Sequence, residues 1–210
     1  MRKFYQADVS KPDNCSRLFA AAYQALGGID VLVANAGLQR DAAFTDMSLQ
    51  DWEQVIAINL TGQFICAQEA VRCFRRQGFN LARSPALGNI IFTSSVHQAI
   101  PWVGHANYAA AKGGLKLLTE SMAQELAEEK IGVNAIAPGA IKTPINKEAW
   151  ESADAREKLL KLIPYGRLGA PEDIGKAAVW LASNESDYVV GTTLFIDGGM
   201  TLYPGFRAEG

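Results

Sequence analysis

Histidine is almost absent from this chain, two in 210 residues, and cysteine is scarce, with three. Cys15, Cys66 and Cys73 are odd in number and match no metal-ligand or redox spacing, so neither a disulfide scaffold nor a metal site is expected. Buried free thiols suit a reducing, cytoplasmic location. An excess of one charge is also lacking. Twenty basic residues against 22 acidic leave a formal charge of −2, which offers no field for nucleic acid. No apolar run reaches bilayer-spanning length, and MRKFYQADVSK has no signal-peptide core, so no membrane partner is expected. Internal repeats and low-complexity tracts are missing too. What remains is an ordinary globular composition, 49% apolar and 20% charged, at a length that suits one domain spanning 1–210.

Strand-length apolar runs alternate with amphipathic stretches. Residues 1–9 read as a short strand ending at Asp8, before an amphipathic helix over 13–26 closed by Gly27-Gly28. Residues 29–34 form a continuous apolar run broken only by Asp30, as in a strand buried on both faces of a parallel sheet. That run ends in Asn35-Ala36-Gly37, small residues that let the backbone approach a ligand. Ser48 to Asp51 has the form of a capping box, and the helix it starts carries Trp52, Val55 and Ile56. Asn59 lies inside a helical pattern where asparagine is unfavourable, which itself suggests a purpose. Residues 78–87 read as a surface insertion of no known role. Further strands are expected at 89–92, 131–137 and Thr193–Ile196, with helices from Ala106 and from Pro171. Leu115, Leu118, Met122 and Leu126 recur at helical spacing, as core or subunit-interface positions. Residues 144–165 are charged and read as a substrate lid. The pattern is that of an α/β, doubly wound, Rossmann-type parallel sheet, with its motifs at the strands' carboxyl ends, where ligands bind.

The stretch from Gly88 to Lys112 organises the rest. Ser95 follows a strand end, and Tyr108 and Lys112 are four residues apart on the next helix, hence on one face. A hydroxyl, a phenol and an ammonium group can converge there in a catalytic arrangement. A Tyr-x-x-x-Lys pair alone arises about 0.3 times by chance in such a composition, so by itself it also suits an exposed helix face.

The company of the pair is more specific. Ser95 precedes Tyr108 by thirteen residues, and ANAG (34–37), INLTG (58–62) and PGxxxT (138–143) follow a fixed order. In these motifs the sequence resembles the short-chain dehydrogenase/reductase family over essentially its whole length. MSLQDW, SSVHQAIPW, NYAAAKGGLKLLTE and LFIDGGMTLYP resemble its bacterial glucose 1-dehydrogenases most. The resemblance implies NAD or NADP as cofactor, hydride transfer to or from a sugar, and a homo-tetramer or homo-dimer built on helices at 62–76 and 106–128. It makes Tyr108 the base, its pKa brought from near 10 to about 7–8 by Lys112 and the nicotinamide. Ser95 would orient the substrate oxygen and Asn59 would hold a water in the proton path. It assigns cofactor contacts to Asp8, Val9, Asn35, Ala36, Gly37, Tyr108, Lys112, Pro138, Gly139, Ile141 and Thr143. Asp8 suits a helix N-terminal acid equally well. Ser95, Tyr108, His97 and Asn146 fall beside the sugar, although His97 is as readily a loop histidine, and His105 reads as structural. Ala34 replaces the family's first asparagine, Gly132 its basic residue, and Gln39 the acid found in glucose enzymes.

One family element has no counterpart. The glycine-rich turn TGxxxGxG, whose amides hold the cofactor pyrophosphate, is not in the sequence. The first residues correspond to the family's third strand, so the expectation is a domain missing its first two strand–helix units. The strand at 29–34 would then be an open edge. A dehydrogenase for another secondary alcohol, or an inactive fragment that associates with intact subunits, remain alternatives.

Overall fold

Four parallel strands carry the structure: β1 (Val31–Ala34), β2 (Gly88–Thr93), β3 (Ile131–Pro138) and β4 (Thr193–Ile196), paired in that order. The computed structural model describes residues 3–202, apart from the side chains of residues 145, 147 and 148. Among the described residues six α-helices accompany the strands: α1 (Pro12–Leu26), α2 (Leu49–Ile56), α3 (Gly62–Gln77), α4 (Ala106–Leu126), α5 (Ala153–Leu160) and α6 (Pro171–Leu181).

The side-chain alternation of the central strands explains the layering. Ile90, Phe92, Val133 and Ala135 turn to one face, where α3 supplies Ala67, Ala70 and Phe74 and α4 supplies Leu115 and Ala123. Ile91 and Ile136 turn to the other and meet Leu181 of α6. The chain advances one strand at a time in a single direction. Helices on opposite faces therefore mean that the β3–β4 crossover has the opposite hand to the first two, against the usual right-handed preference. Fully buried Phe74 packs against the backbone of Gly88, where an added Cβ would lie 2.5 Å from its ring. Asn134, 3% exposed, stitches β3 to the segment before β4: its Nδ2 donates to the Val189 carbonyl at 2.7 Å and its Oδ1 accepts from Thr192 N–H at 3.0 Å.

Local signals end the elements where they should. Gly27 closes α1 in the left-handed region at φ 75°. Ser48 caps α2, accepting from Asp51 N–H at 3.0 Å. Asp173 reaches back to the Ala170 N–H at the start of α6 and pairs with Arg167, and these bonds hold its carboxyl down at about 2.

Three expectations need correction. Residues 3–8 form no strand; no neighbour is there to take their hydrogen bonds, and Phe4 is 91% exposed. Residues 1 and 2 of that expected strand lie outside the described residues. β1 is not buried on both faces: as the sheet edge it leaves Val33 47% exposed. The insertion at 78–87 is not idle, because Arg83 pairs with Asp30, Ser84 Oγ meets Asn184 Oδ1 at 3.1 Å, and Leu87 N–H donates to the Lys130 carbonyl at 2.8 Å. It clasps the amino end of the sheet, opposite the strand ends that carry the motifs.

The open edge and the core predict opposite behaviour. Val33→Lys should change stability by no more than about 0.5 kcal/mol while suppressing concentration-dependent light scattering, because a charge on an exposed edge blocks strand addition. Phe74→Ala should cost about 3–5 kcal/mol in urea unfolding. Equal scattering from Val33→Lys and the parent chain would mean that the edge does not drive association.

Candidate active site

Parallel pairing brings the carboxyl ends of all four strands to one edge. At that edge β2 runs into Ser94 and Ser95, both buried, and Ser95 caps a short turn over Val96–Gln98 by accepting from His97 N–H at 3.2 Å. The first two turns of α4 present Tyr108 and Lys112 on one face. The Ser95 hydroxyl is close enough to the Tyr108 phenol to act on its titration. Lys112 Nζ donates to the Thr93 carbonyl at 2.7 Å and lies 5.5 Å from the centre of the Tyr108 ring. The three side chains occupy one volume.

Burial sets the electrostatics. Lys112 is 3% exposed, and desolvation brings its ammonium down to about 8. Desolvation pushes the Tyr108 phenol above its ordinary value; the neighbouring Ser95 hydroxyl opposes this and the charge of Asp41 adds to it. The lowering that the resemblance implies is thus not present in the cofactor-free chain, where the ammonium lies over the ring and is committed to the Thr93 carbonyl.

A stacked column walls the site. Trp102 lies between His97, at 4.6 Å, and His105, at 3.5 Å. His105 Nδ1 meets the Val103 carbonyl at 2.9 Å and its Nε2 meets Asp41 at 3.1 Å, a structural role as read from the sequence. His97 Nδ1 meets the Ile100 carbonyl at 3.1 Å, and its ring stands edge-on to Tyr108 at 6.4 Å. Burial lowers the His97 pKa, so this imidazole is neutral, with Nε2 making no hydrogen bond within the described residues.

The asparagines explain themselves by packing. Asn59 sits fully buried in a π-helical turn, Ala57–Thr61, between α2 and α3. Its Nδ2 donates to the Leu38 carbonyl at 2.7 Å and its Oδ1 accepts from Leu38 N–H at 2.8 Å, so its side chain braces the loop after β1. Two further residues brace that loop and escaped the sequence reading. Asn107 donates to the Arg40 carbonyl at 2.8 Å and accepts from Tyr108 N–H at 2.7 Å, and Gln63 donates to the Ala36 carbonyl at 2.5 Å. Asn107 could have been found by the reasoning applied to Asn59, since it too is an asparagine inside a helix.

The expected cofactor residues fall into two groups. Val9, Asn35 and Ala36 line an apolar groove of about 310 Å³ between α1 and the open edge of β1. Asp8, just outside, accepts from Ser10 N–H and Oγ–H at the start of α1, which holds its carboxyl below the ordinary range. Gly37 lies against Asn59, where a Cβ would sit 3.1 Å from Oδ1. At the other end, Gly139 follows Pro138 so closely against Asp197 that a Cβ would lie 2.8 Å from its Cα. Ile141 bridges to Gly169. Asn146 Oδ1 accepts from Thr143 N–H, Thr143 Oγ–H and Trp150 Nε1–H, and its Nδ2 donates to the Ile141 carbonyl. These bonds tie the Asn146 side chain to its own loop and leave one Nδ2 hydrogen without a partner among the described residues. The small-residue surfaces at Asn35–Gly37 and Pro138–Gly139 fit the nicotinamide half of a dinucleotide, whereas residues 1–210 contain no glycine-rich turn for its pyrophosphate.

A parallel sheet with a Ser–Tyr–Lys constellation at its carboxyl edge defines an oxidoreductase of the dinucleotide-binding α/β class. The comparisons specify it further. A family model described as enoyl-(acyl carrier protein) reductase matches residues 1–201. The 3β-hydroxysteroid dehydrogenase 1 of Eggerthella lenta is 48% identical over 202 residues, covering 96% of this chain and 75% of that protein. Glucose 1-dehydrogenase 2 of Bacillus subtilis is 42% identical, covering 95% and 74%. The crystal structure of a gluconate 5-dehydrogenase from Burkholderia cenocepacia, in complex with NADP and tartrate, superposes with a TM-score of 0.85 at 35% identity, covering 93% of this chain and 74% of that one. The chain belongs to the short-chain dehydrogenase/reductase family, and its cofactor is NAD or NADP. No helix among the described residues is long and apolar enough to cross a membrane.

Two substitutions test the site without a catalytic assay. Asn59→Ala leaves both polar groups of the Leu38 backbone without their partner and should cost about 1–3 kcal/mol in denaturant unfolding. Lys112 is harder to hold charged in the folded than in the unfolded chain, so it destabilises the fold below pH 8, and this penalty fades as pH rises from about 8 towards 10.5. Lys112→Met should therefore stabilise the cofactor-free chain by about 3 kcal/mol near pH 7, an advantage that disappears by about pH 10.5. A stability difference that does not change with pH would show that Lys112 is not desolvated. Tyr108, with a raised pKa, contributes stability that is lost only above pH 10, so the two windows separate.

Proposed function

We propose that this site transfers a hydride between the nicotinamide and the anomeric carbon of a sugar, in the manner of a glucose 1-dehydrogenase. The observation that carries the reading is the buried Lys112, its Nζ 5.5 Å from the centre of the Tyr108 ring, with buried Ser95 at the adjoining strand end. When bound, the nicotinamide accepts or supplies the hydride and, in its oxidised form, adds a positive charge. Tyr108 exchanges the proton of the substrate oxygen. Its raised pKa keeps it protonated at neutral pH in the cofactor-free chain, ready to act as the acid for carbonyl reduction. For alcohol oxidation Lys112 and the cofactor's charge must draw that pKa down. Ser95 holds the oxygen beside Tyr108. The backbone about Asn59 is assigned to the proton path, the side chain being committed to Leu38.

The sugar reading draws on the neutral His97 imidazole, whose free Nε2 can accept a hydrogen bond from a hydroxyl neighbouring the reacting one. A 3β-hydroxysteroid is the second reading, favoured by the half-exposed Trp102 and the 94% exposed Val103 beside the site. We assign the assembly to a homo-tetramer or homo-dimer on α3 and α4, where Phe64 and Leu117 are exposed apolar residues and open space surrounds Gly113.

Full activity, in this reading, needs two strand–helix units beside β1. The open edge and the groove lined by Leu18, Leu26, Val31 and Val33 support it. So does the absence of the glycine-rich turn, whose charge-assisted bonds contribute about 1.5–3 kcal/mol each.

Residues 1–210 expressed alone should bind NAD or NADP at least about one-hundredfold more weakly than a chimera carrying two N-terminal strand–helix units from a relative. In that chimera, Tyr108→Phe should lower kcat with glucose by about a thousandfold or more, with KM nearly unchanged. Turnover of a 3β-hydroxysteroid but of no sugar would replace the first substrate reading with the second. Ordinary turnover by residues 1–210 alone would remove the requirement for the added units.

A further inference from the structure

Two thiols away from the reacting groups lie in contact. Cys15 of α1 and Cys66 of α3 have their sulfurs 3.8 Å apart, and both side chains are buried. Cys15 also donates its S–H to the Val9 carbonyl at 3.3 Å. The two sulfurs bridge the junction between α1 and α3. Residues 3–11 pair with no strand, and α1 attaches through Cys15 and Phe19, a Ser16–Glu69 hydrogen bond and Arg76 stacked over Tyr23. Cys66 lines the groove beside β1, which gives a small solute a route to its sulfur.

We propose that Cys15 and Cys66 form a reversible disulfide that locks α1 to α3 and frees the Val9 carbonyl. With a peroxide as oxidant, the Cys66 thiolate attacks one peroxide oxygen. The O–O bond breaks, the departing hydroxide takes up a proton to leave as water, and Cys66 becomes a sulfenic acid. Cys15 sulfur then attacks the Cys66 sulfur; the S–S bond forms, the S–O bond breaks, and the oxygen leaves as a second water with the Cys15 proton. Two thiols give up two electrons, and one peroxide becomes two waters. A small dithiol reverses the step by exchange. Burial holds both thiols above their usual range, Cys66 at about 12, so thiolate is scarce and the rate should rise about tenfold per pH unit from 7 to 9.

The consequence falls on the groove. Val9 lines it together with Asn35 and Ala36, and its side chain lies against Gly62, where a Cβ would be 2.8 Å away. Once Cys15 has given up its proton, the Val9 carbonyl has lost its donor. Oxidation therefore tightens α1 and at the same time alters the wall of the groove.

The experiment needs no cofactor and no turnover. The native chain is treated with hydrogen peroxide at pH 8, residual thiols are alkylated, and the disulfides are mapped by mass spectrometry. The expected product is one intramolecular bond joining the Cys15 and Cys66 peptides, about 2 Da lighter than the reduced chain and reversed by dithiothreitol, with Cys73 alkylated. Amide exchange across α1 should slow by about threefold or more. Cys73→Ala should form the same bond, and the same treatment in urea should give a mixture of pairings. A disulfide containing Cys73, a sulfinic acid on Cys66 beside a free Cys15, no reaction, or unchanged exchange in α1 would each overturn the proposal. The wild-type map decides even where Cys15→Ser or Cys66→Ser fails to fold.

Discussion

The structure turns on an ammonium group taken out of water. Lys112 sits 3% exposed beneath the active-site edge, its Nζ held by the carbonyl of Thr93. Such burial is unfavourable unless the charge has partners. The partners come from separate parts of the chain: β2 supplies the carbonyl at its last residue, and α4 supplies the lysine and, one turn earlier, Tyr108. Ser95, two residues beyond Thr93, then cannot avoid the phenol. The chemistry of the site is thus tied to the packing of one strand end against one helix.

Around that pair, buried amides do the positioning. Asn59, Gln63 and Asn107 come from a π-helical turn and the starts of two helices, yet all three hydrogen-bond the backbone between Ala36 and Arg40. That loop therefore has little freedom relative to Tyr108, although it follows an edge strand that has no partner on one side. Mechanical order and electrostatic tension coexist here. The loop is braced, while the two titrating groups are held away from their ordinary pKa values in directions that favour their neutral forms.

The edge of β1 shapes the other half of the molecule. With no strand beyond it among the described residues, Val33 is half exposed, an apolar groove opens towards α1, and α1 rests mainly on α3. The Cys15–Cys66 contact lies at the foot of this groove. The thiol pair and the groove therefore meet at Val9, one residue whose carbonyl accepts from Cys15 and which lines the wall.

By itself the sequence determined the alternation of strands and helices, the capping of α2 and α6, the closure of α1 at Gly27, and the Ser95, Tyr108 and Lys112 spacing. These rest on periodicity and on residues whose preferences act over a few positions, which a linear pattern records. It also determined that β1 would be an edge, because the motif order leaves no strand to cover it. Only the tertiary structure decided that residues 3–8 are not a strand, since a strand exists through its neighbour. It alone decided the hand of the last crossover, the commitment of Asn146 to its own loop, and the contact between two thiols 51 residues apart. It also set the direction of the Tyr108 pKa: burial and the position of an ammonium over a ring are properties of packing in three dimensions, and no spacing along the chain encodes them.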